Sequence, residues 1–177
     1  MKTISNYTEK AFGFIDKALN GFLMLLMAAI VVVVTWQVIT RFLMTQPSSY
    51  TEELSRFFLI WIAILGSAYA FRTGAHLGLD LITEKLEDTA RHRTAIVANL
   101  LCFGFAASVM VFGGLKLMLL TLELNQTSSS LGIKMGYVYT VVPLSGALIC
   151  LYALKNIFNP DPPELAAPDI ASLTLDG

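Results

Sequence analysis

The sequence predicts an all-α integral membrane protein with four transmembrane helices and both termini on the cytoplasmic side (N-in/C-in). Three observations carry this. Hydrophobic residues fill 55% of the 177 positions and charged residues only 14%, too apolar for an ordinary soluble domain. The apolar residues gather into four runs, about 19–43, 50–71, 95–124 and 135–157, each long enough to cross a hydrocarbon core of ~30 Å. Charge is confined to the two ends of the second run: Glu52, Glu53 and Arg56 precede an uncharged stretch from Phe57 to Phe71, and Arg72, His76 and Asp80 follow it. A soluble amphipathic helix would instead place polar residues at every third or fourth position.

Residues 1–18 form an amphipathic N-terminal segment. Ile4, Tyr7, Ala11, Phe14 and Ala18 recur at helical spacing, with Glu9, Lys10, Asp16 and Lys17 mostly on other faces. Such a helix either lies at the membrane surface or leads straight into the first span. The four-helix membrane domain, 19–158, follows. Its first apolar run exceeds the usual length of a signal-peptide core and lacks a small-residue cleavage site, so it is expected to stay in the mature protein. The β-branched run Ile30 to Val34 is tolerated because a backbone in lipid must satisfy its own hydrogen bonds, and only a helix does so here.

The link Met44 to Ser49 is short and holds Pro47, which makes the first two spans antiparallel neighbours. Ser49-Tyr50-Thr51-Glu52 fits a capping box, and Glu52 and Glu53 complement the positive end of the helix dipole. Arg41, at the end of span one, falls at the same depth as Glu52, Glu53 and Arg56. An isolated charge costs roughly 2.5–3.5 kcal/mol at the membrane centre and less toward the interface, which favours pairing. The cluster closes within this chain or is shared with a partner subunit; an ion relay is the third reading. Ala63, Gly66, Ser67 and Ala70 give span two small residues at i,i+4 spacing, which allow another helix to approach closely. Trp61 lies in the same span.

Residues 72–93 contain Leu79, Ile82 and Leu86 on one face and Glu84, Lys85, Glu87 and Asp88 on the other, the pattern of an interfacial helix between spans two and three. The third span is long enough that it must tilt or project. Gly104, Ser108, Gly113 and Gly114 offer close-packing positions along it, and Lys116 snorkels toward headgroups or meets a partner. Pro143 sits inside the fourth span, where a kink is tolerated. The tail 159–177 has four prolines and several acidic residues and is expected to be disordered. Lys and Arg concentrate near the termini and in the 2–3 link, which sets the orientation.

Several function classes fall away. A net charge of -1 with no basic stripe does not suit a nucleic-acid partner. Haem or quinone ligation would need histidines at membrane depth, whereas His76 and His92 both lie in the 2–3 link. Cys102 and Cys150 sit singly in apolar runs and read as buried packing residues. No nucleophile, base and orienting group converge in a readable motif, so an enzyme is not expected.

Around span two the residues resemble a known family. Arg41-Phe42 closes span one. Glu-Glu-Leu-x-Arg follows at Glu52 to Arg56, then Trp61, Gly66, Ala70 and the Arg72-x-Gly74-x-His76-x-x-x-Asp80 segment. In this order and separation, with four spans, the chain resembles the small membrane subunit of tripartite ATP-independent periplasmic (TRAP) transporters, the DctQ-like family. The resemblance implies a multi-pass protein of the bacterial inner membrane that scaffolds a large elevator-type subunit. It also implies help in docking a periplasmic substrate-binding protein for sodium-driven symport of an organic acid or similar solute. Sodium is then expected on the large subunit, with no cofactor, metal or substrate site on this chain. Arg41, Glu52, Glu53, Arg56, Trp61, Gly66, Ala70, Arg72, His76, Asp80 and Lys116 become structural or subunit-interface candidates. The rival is a self-sufficient homo-oligomeric transporter or channel with Glu53 or Lys116 lining a pore. A third reading is a membrane anchor for a soluble enzyme.

Overall fold

The computed structural model describes residues 2–43, 49–73 and 88–158. The described chain is helical: α1 (Lys2–Leu43), α2 (Ser49–Arg72), α3 (Asp88–Phe105), a π-helical segment (Ala106–Gly113), α4 (Gly114–Glu123), α5 (Met135–Tyr139) and α6 (Val141–Phe158). Among the described residues four stretches are long and apolar enough to cross a bilayer: Phe12–Leu43, Ser49–Arg72, Ile96–Glu123 and Met135–Ile157. His76, Asp80, most of the 2–3 link and the tail lie outside the described residues.

Of the two forms the sequence leaves open for the N-terminal segment, the structure has the continuous one. α1 runs unbroken from Lys2 to Leu43. At ~1.5 Å per residue its 42 residues extend about 63 Å, roughly twice the hydrocarbon thickness, so much of it projects or tilts.

The third and fourth spans are not uniform α-helices, for identifiable reasons. Pro143 has no N–H to give to the Tyr139 carbonyl, and the fourth span breaks at Thr140 between α5 and α6. Thr140 Oγ1 donates to the Gly136 carbonyl at 3.2 Å and steadies the break. In the third span Ser108 Oγ donates to the Gly104 carbonyl at 2.6 Å, next to where the backbone widens to π geometry. The widened turns carry Met110 and Val111 against Gly146, where an added Cβ would stand 2.7 Å from Met110 Cβ. Gly114 meets Val142 and Pro143 in the same way, whereas Gly104 has nothing within 4 Å.

The spans lie side by side in the order first, second, fourth, third: α1 packs on α2, α2 on α6, and α6 on α3 and the π segment. This arrangement is a row of helices more than a closed bundle. The two inner members are 44% (fourth) and 28% (second) buried, against 11% and 6% for the outer third and first. Two apolar clusters join the row. Leu19, Leu65 and Val141 pack near mid-height. Ala68, Phe71, Ala106, Ile149, Tyr152 and Ala153 pack toward one end, with the half-buried free thiols Cys102 and Cys150 against them.

Candidate functional site

Polar side chains concentrate at the two ends of the row, and each end is tied by residues far apart in sequence. At one end Glu53, in the first turns of α2, reaches the loop between α4 and α5. Its Oε2 accepts from the Ser128 hydroxyl and from the N–H groups of Ser130 (3.0 Å) and Leu131 (3.2 Å). The loop is an ordered hairpin. Thr127 bridges Lys134, Ser128 N–H donates to the Ile133 carbonyl at 2.9 Å, and Met135 N–H to the Gln126 carbonyl at 2.9 Å. Asn125 (φ 48°) and Gly132 (φ 65°) supply its left-handed positions, conformations that asparagine and glycine adopt most easily. A carboxylate receiving several N–H and O–H donors acts as a capping group for loop backbone that would otherwise go unpaired.

At the opposite end Arg72, in the last turn of α2, places Nε 3.2 Å from Asp16 Oδ2 on α1. The Tyr152 hydroxyl on α6 donates to Asp16 Oδ1 at 2.7 Å. The Arg72 guanidinium also lies 6.0 Å from the centre of the Tyr152 ring, within cation–π range. Phe12 stacks at a tilt on Tyr152, 6.0 Å between centroids. Three helices therefore meet at one carboxylate. Midway, Ser145 on α6, fully buried, donates to the Ile64 carbonyl of α2 at 2.8 Å.

The sequence-predicted residues divide between these fastenings and the surface. Glu53 and Arg72 are each half of a fastening. Glu52 and Arg56 form an i,i+4 pair at 3.3 Å, but with side chains 64% and 67% exposed it contributes little. Arg41 is exposed and forms no ion pair among the described residues; the carboxylate it shares a depth with, Glu53, is taken by the loop instead. Trp61 is half-buried and meets Phe22 of α1 edge-on at 6.1 Å. Gly66 has nothing within 4 Å of where a Cβ would be. Together with exposed Leu59 and Ala63 and half-buried Ala70 it forms an outward stripe on α2. Lys116 is exposed on α4. No group of three or more His, Cys, Asp or Glu side chains suited to a metal occurs among the described residues.

Sequence reasoning missed Asp16, Tyr152, Ser128 and Ser145 as partners. One signal was present: Asp16 stands at i+4 from Phe12, on the inward side of an otherwise apolar pattern. Ser128 is one of three consecutive serines, and nothing in their spacing singles it out.

Residues 30–161 match the family described as "Tripartite ATP-independent periplasmic transporters, DctQ component". The chain is 28% identical over 139 residues to the sialic acid TRAP transporter small permease protein SiaQ of Vibrio cholerae, with 76% of each chain covered. It is 28% identical over 110 residues to the C4-dicarboxylate TRAP transporter small permease protein DctQ of Rhodobacter capsulatus, covering 62% of this chain and 48% of that one. A third relative, the isethionate TRAP transporter permease protein DctMQ of Oleidesulfovibrio alaskensis, is 27% identical over 142 residues, covering 77% of this chain but only 22% of that protein.

Proposed function

Because the chain belongs to the DctQ component family of tripartite ATP-independent periplasmic transporters, we propose that it is a non-catalytic scaffold subunit beside a large transport subunit in the bacterial inner membrane. The observation that supports the scaffold reading is what the polar groups are used for: Asp16 with Arg72 and Tyr152 at one end, Glu53 with Ser128, Ser130 and Leu131 at the other, and Ser145 with the Ile64 carbonyl between them fasten helices and loop to one another.

The arrangement suits a static part. An open row of helices leaves two broad apolar faces, and the stripe Leu59, Ala63, Gly66 and Ala70 on α2 is the face we assign to the large subunit. A relative whose permease protein is several times longer than the aligned segment supports a membrane partner of that size. By the distribution of Lys and Arg, the Glu53 end faces the periplasm, where the capped hairpin 125–134 offers a rigid polar surface to a substrate-binding protein. Sodium-coupled uptake of an organic acid or similar solute is then the work of the whole assembly.

Reconstitution tests this. Vesicles holding the large subunit, this chain and the binding protein are expected to accumulate solute on a sodium gradient, and vesicles holding this chain alone are expected to accumulate none. Uptake by the isolated chain would replace the scaffold with a self-sufficient transporter.

A further inference from the structure

Lys116 is a cation inside the apolar band of the row. Glu53 and Arg72, which belong to the two polar fastenings, stand 19 residues apart on α2. That is about 28 Å at ~1.5 Å per residue, so the fastenings mark the two boundaries of a hydrocarbon core of ~30 Å. The Gly114 position stands against Val142 and Pro143, and the Thr140 hydroxyl lies 3.5 Å from Met118 Sδ, which sets Lys116 level with Val141 of α6. Val141 is one turn from Ser145, whose partner Ile64 is 11 residues inside Glu53. Lys116 therefore lies roughly 10 Å inside the Glu53 boundary.

This chain supplies no counter-charge at that depth. Lys116 is exposed and has no hydrogen-bond or ion-pair partner among the described residues. No Asp or Glu occurs in 19–43, 57–71 or 135–157. Glu123, the acid nearest in sequence, is seven residues on, about 10 Å along the axis.

Lipid headgroups are badly placed for the task. The third span runs from the Arg72 end toward the Glu53 end, and a helical Cα–Cβ bond leans toward the helix N-terminus. The Lys116 stem thus sets out away from the nearer headgroups, and its reach of roughly 6 Å falls short of a boundary ~10 Å away. A second copy of this chain brings no carboxylate to this depth either, and a symmetric pair through this face would set Lys116 against Lys116.

We propose that Lys116 pairs, inside the apolar band, with an Asp or Glu carboxylate on a transmembrane helix of the large subunit. The inference rests on the scaffold reading above. It gives that subunit a charged point of contact on the third span in addition to the apolar stripe on α2. Pairing removes the cost of a lone charge in hydrocarbon and fixes the height of the partner helix.

The test measures the large subunit recovered per copy of the tagged chain, isolated in mild detergent from its own host, for the wild type, Lys116→Arg and Lys116→Glu. Lys116→Glu opposes two like charges and is expected to lower the ratio about tenfold or more, whereas Lys116→Arg retains most of it. An acid-to-lysine exchange at one intramembrane position of the large subunit is expected to restore the complex with Lys116→Glu. In parallel, the photo-crosslinker p-benzoylphenylalanine replaces Phe112, 72% exposed and one turn from Lys116. Its expected adduct is with a large-subunit helix that carries an acidic residue. An unchanged ratio in Lys116→Glu, or adducts only with lipid, with another copy of this chain or with a helix lacking acids, would overturn the pairing and leave the scaffold reading in place. A wild-type chain isolated without any large subunit would overturn both.

Discussion

Asp16 and Arg72, 56 positions apart, meet at 3.2 Å, and Tyr152 closes the contact from the last helix with a 2.7 Å hydrogen bond to the same carboxylate. One acidic side chain thus holds the first, second and fourth spans in register at one end of the row. Tyr152→Phe keeps the buried ring and removes only the hydroxyl, so it should cost about 0.5–1.5 kcal/mol. Asp16→Ala strands both partners and should cost more, about 1–3 kcal/mol, toward the lower figure because Asp16 and Arg72 are partly exposed. The double variant should fall short of the sum, as residues of one network do. Unfolding of the purified chain in detergent measures all three, and strict additivity would mean that Tyr152 and Asp16 act separately.

At the other end the Glu53 carboxylate carries the hairpin. Glu53→Ala removes the acceptor for Ser128, Ser130 and Leu131 together. The expected result is faster amide hydrogen exchange at 130 and 131 and readier proteolysis within 125–134, with the spans themselves still folded. Glu53→Gln retains one acceptor oxygen and should give an intermediate effect. Unchanged exchange in Glu53→Ala would show that the hairpin's own bonds hold it.

The glycines separate packing within the chain from packing against a partner. Gly146→Val drives its Cβ into Met110 Cβ and the Val111 backbone and should destabilise the chain by about 1–3 kcal/mol. Gly66→Leu meets nothing in this chain. It should leave detergent stability intact and reduce the amount of large subunit isolated with it. Loss of chain stability in Gly66→Leu would move that face inside the fold.

The exposed pair Glu52–Arg56 supplies the opposite expectation. Arg56→Ala should change stability by less than ~1 kcal/mol, read from the same unfolding measurement. A larger loss would assign Arg56 a contact beyond its helical neighbour.

Much of the fold was legible because lipid simplifies the rules. A run such as Phe57 to Phe71 can only be a helix where no water satisfies the backbone, so four runs give four spans. Pairing was less legible. Glu53 could be placed at the right depth from its position in span two, but charge, the only guide, left its partner open between Arg41, which could equally take Glu52, and a partner subunit. The structure chose neutral donors from a loop whose serines look interchangeable in sequence. Asp16 and Tyr152 belong to stretches that read as a solvated helix face and an apolar run, and only the packing of α1 and α6 on α2 brings them together. The π segment at Ala106–Gly113 had no sequence signature beyond nearby glycines and Ser108.

The most direct test of the scaffold assignment is the composition of the complex formed by the tagged full chain, expressed at native level in its own host and isolated in mild detergent. A large multi-span membrane protein in about equal amount is the predicted result, and in Gly66→Leu that partner should be depleted while the chain itself is recovered. Recovery of the chain alone, or only with copies of itself, would contradict the account.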